Sequence, residues 1–371
     1  MKMNRWWIRL AVVAGISFAT GGGQLIFASE DEEGDEHGHG KFQFAVMGDT
    51  QYNAEGIAQF PPLRNAINND RKIKFTVHVG DFTGALCNDA LYADRLADFN
   101  AFRNAFVFSP GDNDWTDCHR ASQGLYNPLE RLAHLRSLLF ANPRRSLGQR
   151  PMSVWTQADD PGYETYVENA MWVRGGVVFV TVHLVGSNNG MNPWNLPSTV
   201  GPGYDPSDTA ATPRADRVAE VNARLAAGLA WLNKAFDKAG QIKARGVFIL
   251  IQANPGFTTP LETAATPPVF VNFVDAIRKR TVEFRKPVVL GHGDTHYARI
   301  DKPLTAATVP AVPPAPAVPI QALVENFTRI ETFGFPNTHW TRVTVDPNSD
   351  DVFSFHIETV EANRRQFAPI P

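Results

Sequence analysis

Five short polar segments hold most of the residues able to do chemistry. They are Gly48-Asp49-Thr50-Gln51, Gly80-Asp81, Gly111-Asp112-Asn113-Asp114, Gln252-Ala253-Asn254-Pro255 and Gly291-His292-Gly293-Asp294-Thr295-His296. Asp, Asn, Gln and His are the side chains that hard-to-borderline divalent cations accept. Glycine beside them lets the backbone turn sharply and approach an ion or a phosphate. Carboxylates drawn to one place repel one another strongly unless cations hold them together. The chemistry in view is metal binding.

The elements that must position these segments follow from the hydrophobic pattern. Residues 42–47, 74–79 and 105–109 are short apolar runs that stop at Gly48-Asp49, Gly80-Asp81 and Pro110-Gly111-Asp112, with helix-like segments near 57–71 and 89–103 between them. Strand, loop and helix in alternation predict βαβ units and a largely parallel sheet. Ligands of such sheets sit beyond the carboxyl ends of the strands, so three carboxylates reach one edge. Further on, 125–140 reads as helix, and 152–156, 165–173 and 177–185 as strands, the last two joined at Arg174-Gly175-Gly176. Residues 214–239 form a helix with Val218, Val221, Leu225, Leu229 and Leu232 on one stripe. Buried strands at 247–251 and 288–290 flank a helix near 269–284, and 340–345 with 352–357 read as a closing antiparallel hairpin. The 188–213 loop has the length of a cover over a site. The proline- and alanine-rich 305–319 stretch reads as a surface loop.

The 371-residue chain is 43% hydrophobic and 20% charged, the balance of a soluble globular protein. Its net charge of −3 offers no general attraction to nucleic acid or an anionic membrane. A small phosphate ester remains open, since bound cations would supply local positive charge. Lys2, Arg5 and Arg9 precede an apolar stretch that Gly21, Gly22 and Gly23 cut short of the roughly 20 residues a membrane span needs. Residues 1–28 read as a signal peptide with cleavage after Ala28, so the protein is exported, periplasmic or secreted, with no span after processing. An acidic leader at 29–40, containing His37 and His39, has no core-forming residues. One domain spans 41–362, with a tail at 363–371. Cys87 and Cys118 are the only cysteines, and each lies a few residues past a candidate metal loop. A disulfide is the favoured reading over two buried thiols.

In order and spacing, the five segments resemble the blocks of the calcineurin-like metallophosphoesterases: D-x-H, G-D, G-N-H-D/E, a late strand ending in His, and G-H-x-H. The resemblance covers about residues 42–300, with the hairpin as an extension. It implies an α/β fold, an αββα sandwich of mixed sheets with the metal site in loops at the carboxyl ends of the strands. It also implies two divalent metal ions (Mn, Fe, Mg, Ca or Zn) and hydrolysis of a phosphate mono- or diester. Residue by residue, Asp49 would bind the first metal, Asp81 would bridge two, Asp112 stands for the family's metal-binding Asn, and His296 matches the last His. Four positions depart from the pattern. Gln51 replaces a His ligand, Asn113 the His that protonates the leaving group, Gln252 (or Asn254) a third His, and Asp294 the first His of G-H-x-H. Nearly every change moves from nitrogen to oxygen ligation. Because each replacement is still a ligand or hydrogen-bonding type, a site rebuilt for oxygen-loving ions is favoured over a decayed one.

A metal pair would lower the pKa of a bridging water and clamp phosphoryl oxygens during in-line attack. Asn113 cannot deliver a proton, which leaves His292, His119 or His183 to serve the leaving group. His183 and Asn188, at and just beyond a strand end, are substrate-facing candidates, and Trp194 lies in the long polar loop. There is no Gly-x-Ser-x-Gly elbow and no Gly-x-x-x-x-Gly-Lys-Ser/Thr loop, which disfavours a serine hydrolase and a P-loop nucleotide binder. The standing rival is a non-catalytic exported binding protein on the same scaffold, separable by metal stoichiometry.

Overall fold

Runs such as Phe-Gln-Phe-Ala-Val-Met, apolar on both faces, make strands covered from both sides. The computed structural model describes residues 40–194, 206–257, 266–306 and 322–365. The signal segment, nearly all of the acidic leader, the middle of the 188–213 loop, most of the 305–319 stretch and the end of the tail lie outside the described residues. In chain order the elements are β1 (Phe42–Met47), α1 (Ala54–Asn69), β2 (Ile73–His78), α2 (Asp89–Asn100), β3 (Ala105–Phe108) and α3 (Pro128–Leu139). Then come β4 (Trp155–Thr156), β5 (Ala170–Arg174), β6 (Val177–Thr181), the single turn α4 (Gly186–Asn189), α5 (Ala215–Gln241), β7 (Gly246–Leu250) and α6 (Pro268–Phe284). Strands β8 (Val288–His292), β9 (Arg299–Asp301), β10 (Phe327–Glu331), β11 (Trp340–Val345) and β12 (Phe353–Glu358) follow. Asn53 and Asn88 cap α1 and α2, their side chains accepting from the N–H groups of Gly56 and Leu91, so the helices begin just after two of the polar loops.

One sheet runs β12-β11-β1-β2-β3 and the other β4-β5-β6-β7-β8-β10-β9. Strands β1, β2 and β3 are parallel, as are β6, β7, β8 and β10, while β11, β12, β4, β5 and β9 pair antiparallel, so both sheets are mixed. Phe42, Phe44 and Val46 point into the space between the sheets, where they meet Phe75, Phe179 and Phe248. The rings of Phe44 and Phe248 lie 5.1 Å apart, edge to face, an arrangement that adds to simple burial. The alternate residues Ala45 and Met47 face α1, α2 and α3 through Phe60, Leu63, Phe99 and Leu135. On the far side, Trp231, Leu232, Phe236, Phe273 and Ile277 of α5 and α6 cover the second sheet. The fold is an αββα sandwich, as the resemblance implies. None of the described helices is long and apolar enough to cross a membrane.

Three readings of the chain change. The strands expected at 152–156 and 165–173 shrink to β4 and β5, because turns through Tyr163 and Tyr166 occupy the approach. β9 and β10 carry Arg299, Asp301, Arg329 and Glu331, whose charges hide a strand pattern. Inside, Arg329 pairs with Asp301 (2.8 Å) and Arg299 with Glu331 (2.7 Å), so the charges are neutralised across the ladder. The stripe of α5 is rotated from its apolar reading. Arg217 and Arg224 are fully buried beside Val221 and Trp231, whereas Val218, Leu225 and Leu229 are half-buried.

Candidate metal centre

The strand ends bring the five polar segments to one edge, and backbone hydrogen bonds lace them together. Asp49 N–H donates to the Gly80 carbonyl (2.9 Å), Thr50 N–H to Asp81 (2.8 Å) and Gly293 N–H to Gln252 (3.0 Å). Asp49 (φ 53°), Asp81 (60°), Asp294 (77°) and His296 (61°) are all left-handed. Non-glycine residues held so carry about 1–3 kcal/mol of strain each, which persists only where the surroundings over-determine the backbone. Gly80 (φ 91°) shows the packing: a Cβ there would stand 2.7 Å from Gly111 N and 2.5 Å from Gln252 Cγ. Asp114 is the brace. Its carboxylate accepts from the N–H groups of Asp81 (3.0 Å), Phe82 (2.8 Å) and Gly111 (2.7 Å), tying the second loop to the third. The Cys87–Cys118 disulfide, with Cα atoms 5.7 Å apart, fastens the segments that follow those same loops.

Asp49, Asp81, Asp112, Asp294 and His296 stand together around this edge. Asp49 Oδ1 accepts from Asp294 N–H (3.0 Å) and lies 3.5 Å from His296 Nε2, while its buried Oδ2 has no hydrogen-bond partner. Asp81 Oδ1 accepts from Asn113 N–H (3.1 Å), and Asp294 Oδ2 from Asn254 N–H (3.0 Å). His296 Nδ1 bonds the Phe335 carbonyl (2.7 Å), which turns its Nε2 lone pair toward the carboxylates, as outer-shell bonds do for metal-binding imidazoles. Tyr52, one residue past the first motif, reaches into the same group. Its hydroxyl donates to Asp81 Oδ2 (2.8 Å) and stands 3.1 Å from His296 Nε2 and 3.4 Å from Asp49 Oδ1. Asp117 joins from the next turn, where its two oxygens accept from the Ser187 hydroxyl (2.9 and 3.0 Å) and Arg120 pairs with it (2.7 Å).

Several expected members stand elsewhere or act otherwise. Gln51 turns away and donates its amide to Asp98 of α2 (2.8 Å). Gln252 presents nitrogen, not oxygen, to the site: Nε2 donates to Asp112 Oδ1 (3.0 Å), while Oε1 accepts Gly186 N–H (2.6 Å). It orients Asp112 instead of offering a ligand. The Asn113 side chain accepts from Gln123 (3.3 Å), and only its backbone touches Asp81. His292 is buried, bonds the Gly293 carbonyl (2.9 Å), and is pushed down to about 3 by burial, so it is neutral and carries no ready proton for a leaving group. His183 is a core residue. Its Nδ1 bonds Glu168 (2.6 Å), its Nε2 accepts the Trp115 indole N–H (3.1 Å), and no ring nitrogen is left for substrate. Trp194 is buried too, its backbone N–H on Asp208 (2.8 Å), and His119 packs beside it with Nδ1 on the Thr116 carbonyl. Asn188 is exposed on α4, where Ser187, Asn188 and Asn189 form a left-handed turn.

The donors suit a hard cation in type: carboxylate oxygens, one imidazole and an unpaired Asp49 oxygen. Among the described residues, no three His, Cys, Asp or Glu side chains surround a single point at ligating positions. Burial raises Asp49 and Asp81, the latter further because Asp112, Asp49 and Asp114 are near. Burial also pushes Asp114 and Asp117 up to about 7 and Asp294 to about 8, from an ordinary 3.8. For His296 burial opposes charging, but the bond and charge of Asp49 outweigh it and raise the ring. A carboxyl raised by folding contributes stability that is full below its unfolded value and is lost as pH rises through its folded one. Chelator-treated protein is therefore expected to melt lower as pH climbs from about 5 to 8, by about 5 °C or more. Mn²⁺ should restore Tm at the upper end and do little at the lower. A flat or rising Tm in scanning calorimetry would mean that the carboxylates ionise without help.

No family model matches the chain, and no curated protein matches it. Among solved structures it is similar to GAP50, the anchor in the inner membrane complex of Plasmodium, at 10% identity and TM-score 0.41, covering 86% of this chain and 89% of that one. It is similar to TT1561 of Thermus thermophilus at 8% identity and TM-score 0.44, covering 87% and 100%. A candidate 5′-nucleotidase of Staphylococcus aureus gives 12% identity and TM-score 0.39, with 86% of this chain and 53% of that one aligned, so the chain spans about half of that protein. These likenesses are distant, and the chemistry follows from this chain's own side chains.

Proposed function

We propose that residues 41–362 form an exported hydrolase of small phosphate esters that depends on divalent cations. The observation that carries this reading is the gathering of Asp49, Asp81, Asp112 and Asp294 from four loops onto one edge, the first three buried and Asp294 half-buried, with an Asp49 oxygen left without a donor. Asp49, Asp81, Asp112, Asp294 and His296 are the residues that would hold the ions. Bound there, two cations would lower the pKa of water and neutralise the phosphoryl oxygens. The chain's own part is positional. Asp114 fixes the second and third loops, Gln252 aims Asp112, and the Phe335 carbonyl aims His296. Among the described residues, His183 has both ring nitrogens bonded and His292 is held neutral by burial, so neither readily protonates a leaving group, and esters of acidic alcohols, such as aryl esters, suit the site best. The exposed Asn188 flanks it on α4. The paired cysteines and the basic, apolar leader support export, and the net charge of −3 argues against nucleic acid.

A binding protein without turnover is the rival, and the amide nitrogen that Gln252 offers to Asp112 favours it. Elemental analysis of the mature protein, with aryl phosphate mono- and diesters assayed across several divalent ions, separates the two. Two ions per chain are expected, and Asp81→Asn should remove several kcal/mol of transition-state stabilisation. That amounts to about a thousandfold or more in turnover. No bound ion and no turnover with any metal would leave the binding protein.

A further inference from the structure

We propose that the face built by β4, β5 and the last turn of α5 docks on an anionic lipid surface. Three apolar side chains stand open to solvent there: Trp155 (41% exposed), Val173 (37%) and Ile242 (39%). They share one side of the second sheet. Trp155 pairs with Met171 across the β4–β5 ladder, and Val173 stands two residues further along β5, so it points the same way as Met171, which packs against α5. The helix brings the rest. Lys238 lies over the Trp155 ring with its ammonium 4.9 Å from the centroid, and Ile242 follows one turn later, its N–H still on the Lys238 carbonyl (3.1 Å). Arg245 N–H donates to the Gly176 carbonyl (2.7 Å), which ties the segment after α5 to the turn beyond Val173.

Charge selects the occupant. The carboxylates on the neighbouring segments are taken: Asp159 pairs with Arg144 (2.6 Å), Asp160 with Lys234 and Asp237 with Arg280. Lys238 and Lys243 form no ion pair among the described residues, and Arg245 bonds a carbonyl, that of Ser349 (3.3 Å). The apolar trio is thus ringed by cations. A second copy set against this face would bring like charges together. A soluble polyanion would match the charge but give Val173 and Ile242 nothing apolar to enter. A bilayer surface answers both, with headgroup phosphates for the ammonium groups and an interfacial layer for the tryptophan and the aliphatic chains. Lysine stems lie along such a layer with their charges outward. The patch sits toward the starts of β6 and β7, whereas the carboxylate edge lies beyond the ends of the parallel strands, about 17 Å away along five residues of strand. Docking leaves that edge open, and the patch stands whether or not the edge binds ions.

The test uses the mature protein, residues 29–371, because the apolar run at the start of the leader would bind lipid by itself. Cosedimentation is measured with vesicles of phosphatidylcholine and phosphatidylglycerol, and with phosphatidylcholine alone. Wild type should bind the anionic vesicles, release as salt rises, and leave the neutral ones in solution. Lys238→Gln with Lys243→Gln should weaken binding about fivefold per lysine removed. Trp155→Ala should weaken it about tenfold or more. Ile357→Ser, on the exposed edge strand β12, should bind as wild type. No anionic preference, or binding that survives both the lysine pair and Trp155→Ala, would overturn the inference. So would absence of vesicle binding joined to a dimer in light scattering that Trp155→Ala dissolves, which would give the face to a second copy. Salt-sensitive retention on heparin without vesicle binding would give it to a soluble polyanion instead. Should Trp155→Ala fold poorly by circular dichroism, the exposed lysine pair decides alone.

Discussion

Gly293→Ala is expected to cut cation affinity and ester hydrolysis by about 10²-fold while the fold stays intact. A Cβ at this position would lie 2.1 Å from Asp49 Oδ2 and 3.1 Å from Asp49 Cγ. Asp49 is fully buried, so its carboxylate has little room to swing aside. Gly293 does not have a left-handed φ, and alanine brings no backbone strain of its own. The damage falls on one carboxylate. Gly186→Ala should act alike on the other side, since its Cβ would meet Asp294 Oδ1 at 2.5 Å and both Asp112 oxygens at 2.8 Å. Calorimetry with Mn²⁺ and circular dichroism on the same samples check both halves of the expectation. Native-like affinity in both variants would remove Asp49, Asp112 and Asp294 from the site together.

Arg224→Met should lower stability by about 3–5 kcal/mol, the usual consequence of removing one partner from a buried charge pair. The guanidinium is fully buried and stacks 5.2 Å from Trp115. It pairs with Glu220 (2.8 Å) and donates to the His183 carbonyl (3.1 Å), the Asn189 side chain (2.6 Å) and the Asn189 carbonyl (2.8 Å). Those bonds clamp the left-handed α4 turn. Gly186 at its head donates to Gln252, and Gln252 donates to Asp112. The variant should therefore lose cation affinity as well as Tm. Denaturant melts alongside Mn²⁺ titration distinguish this from a purely structural loss, in which affinity per folded molecule is unchanged.

The strands that carry the site were readable because each is a short apolar run broken by a Gly-Asp or Gly-containing loop. Asp49, Asp81 and Asp112 accordingly stand where the run lengths place them. Side-chain direction was not readable. Gln51 and Tyr52 are neighbours in a loop where residue 51 is left-handed, and that single dihedral sends the glutamine to α2 and the phenol to the carboxylates. Gln252 sits at the expected strand end, but which face of its amide meets Asp112 depends on Gly186 N–H, a partner 66 residues away. Asp114 could have been noticed as a carboxylate three residues past a glycine, a spacing that suits a turn whose side chain caps its own amides. The histidines misled because a strand end faces the site or the core according to one residue of register. His183 follows the last ladder residue of β6 by two positions and points inward. The charges of β9 and β10 hid those strands, and those of α5 hid which of its faces is buried, because burial of Arg with Asp or Glu has no signature in a hydrophobic pattern.

The middle of the first sheet has a consequence for how the chain is made. β1 lies between β2 and β11, and Gln43 bonds Thr344 across 301 residues of sequence. The earliest strand of the domain thus waits for nearly the latest, a topology of high contact order that assembles slowly. On the exported reading, a chain threaded through a membrane pore N-terminus first cannot close this sheet, or set Asp49 against Asp294, until the hairpin has followed. On the same reading it would stay slack enough to be threaded and would hold no finished cation site while in transit. On that reading, metal capture would belong to the compartment where the chain completes its fold, and the ion taken up would be the one that compartment supplies.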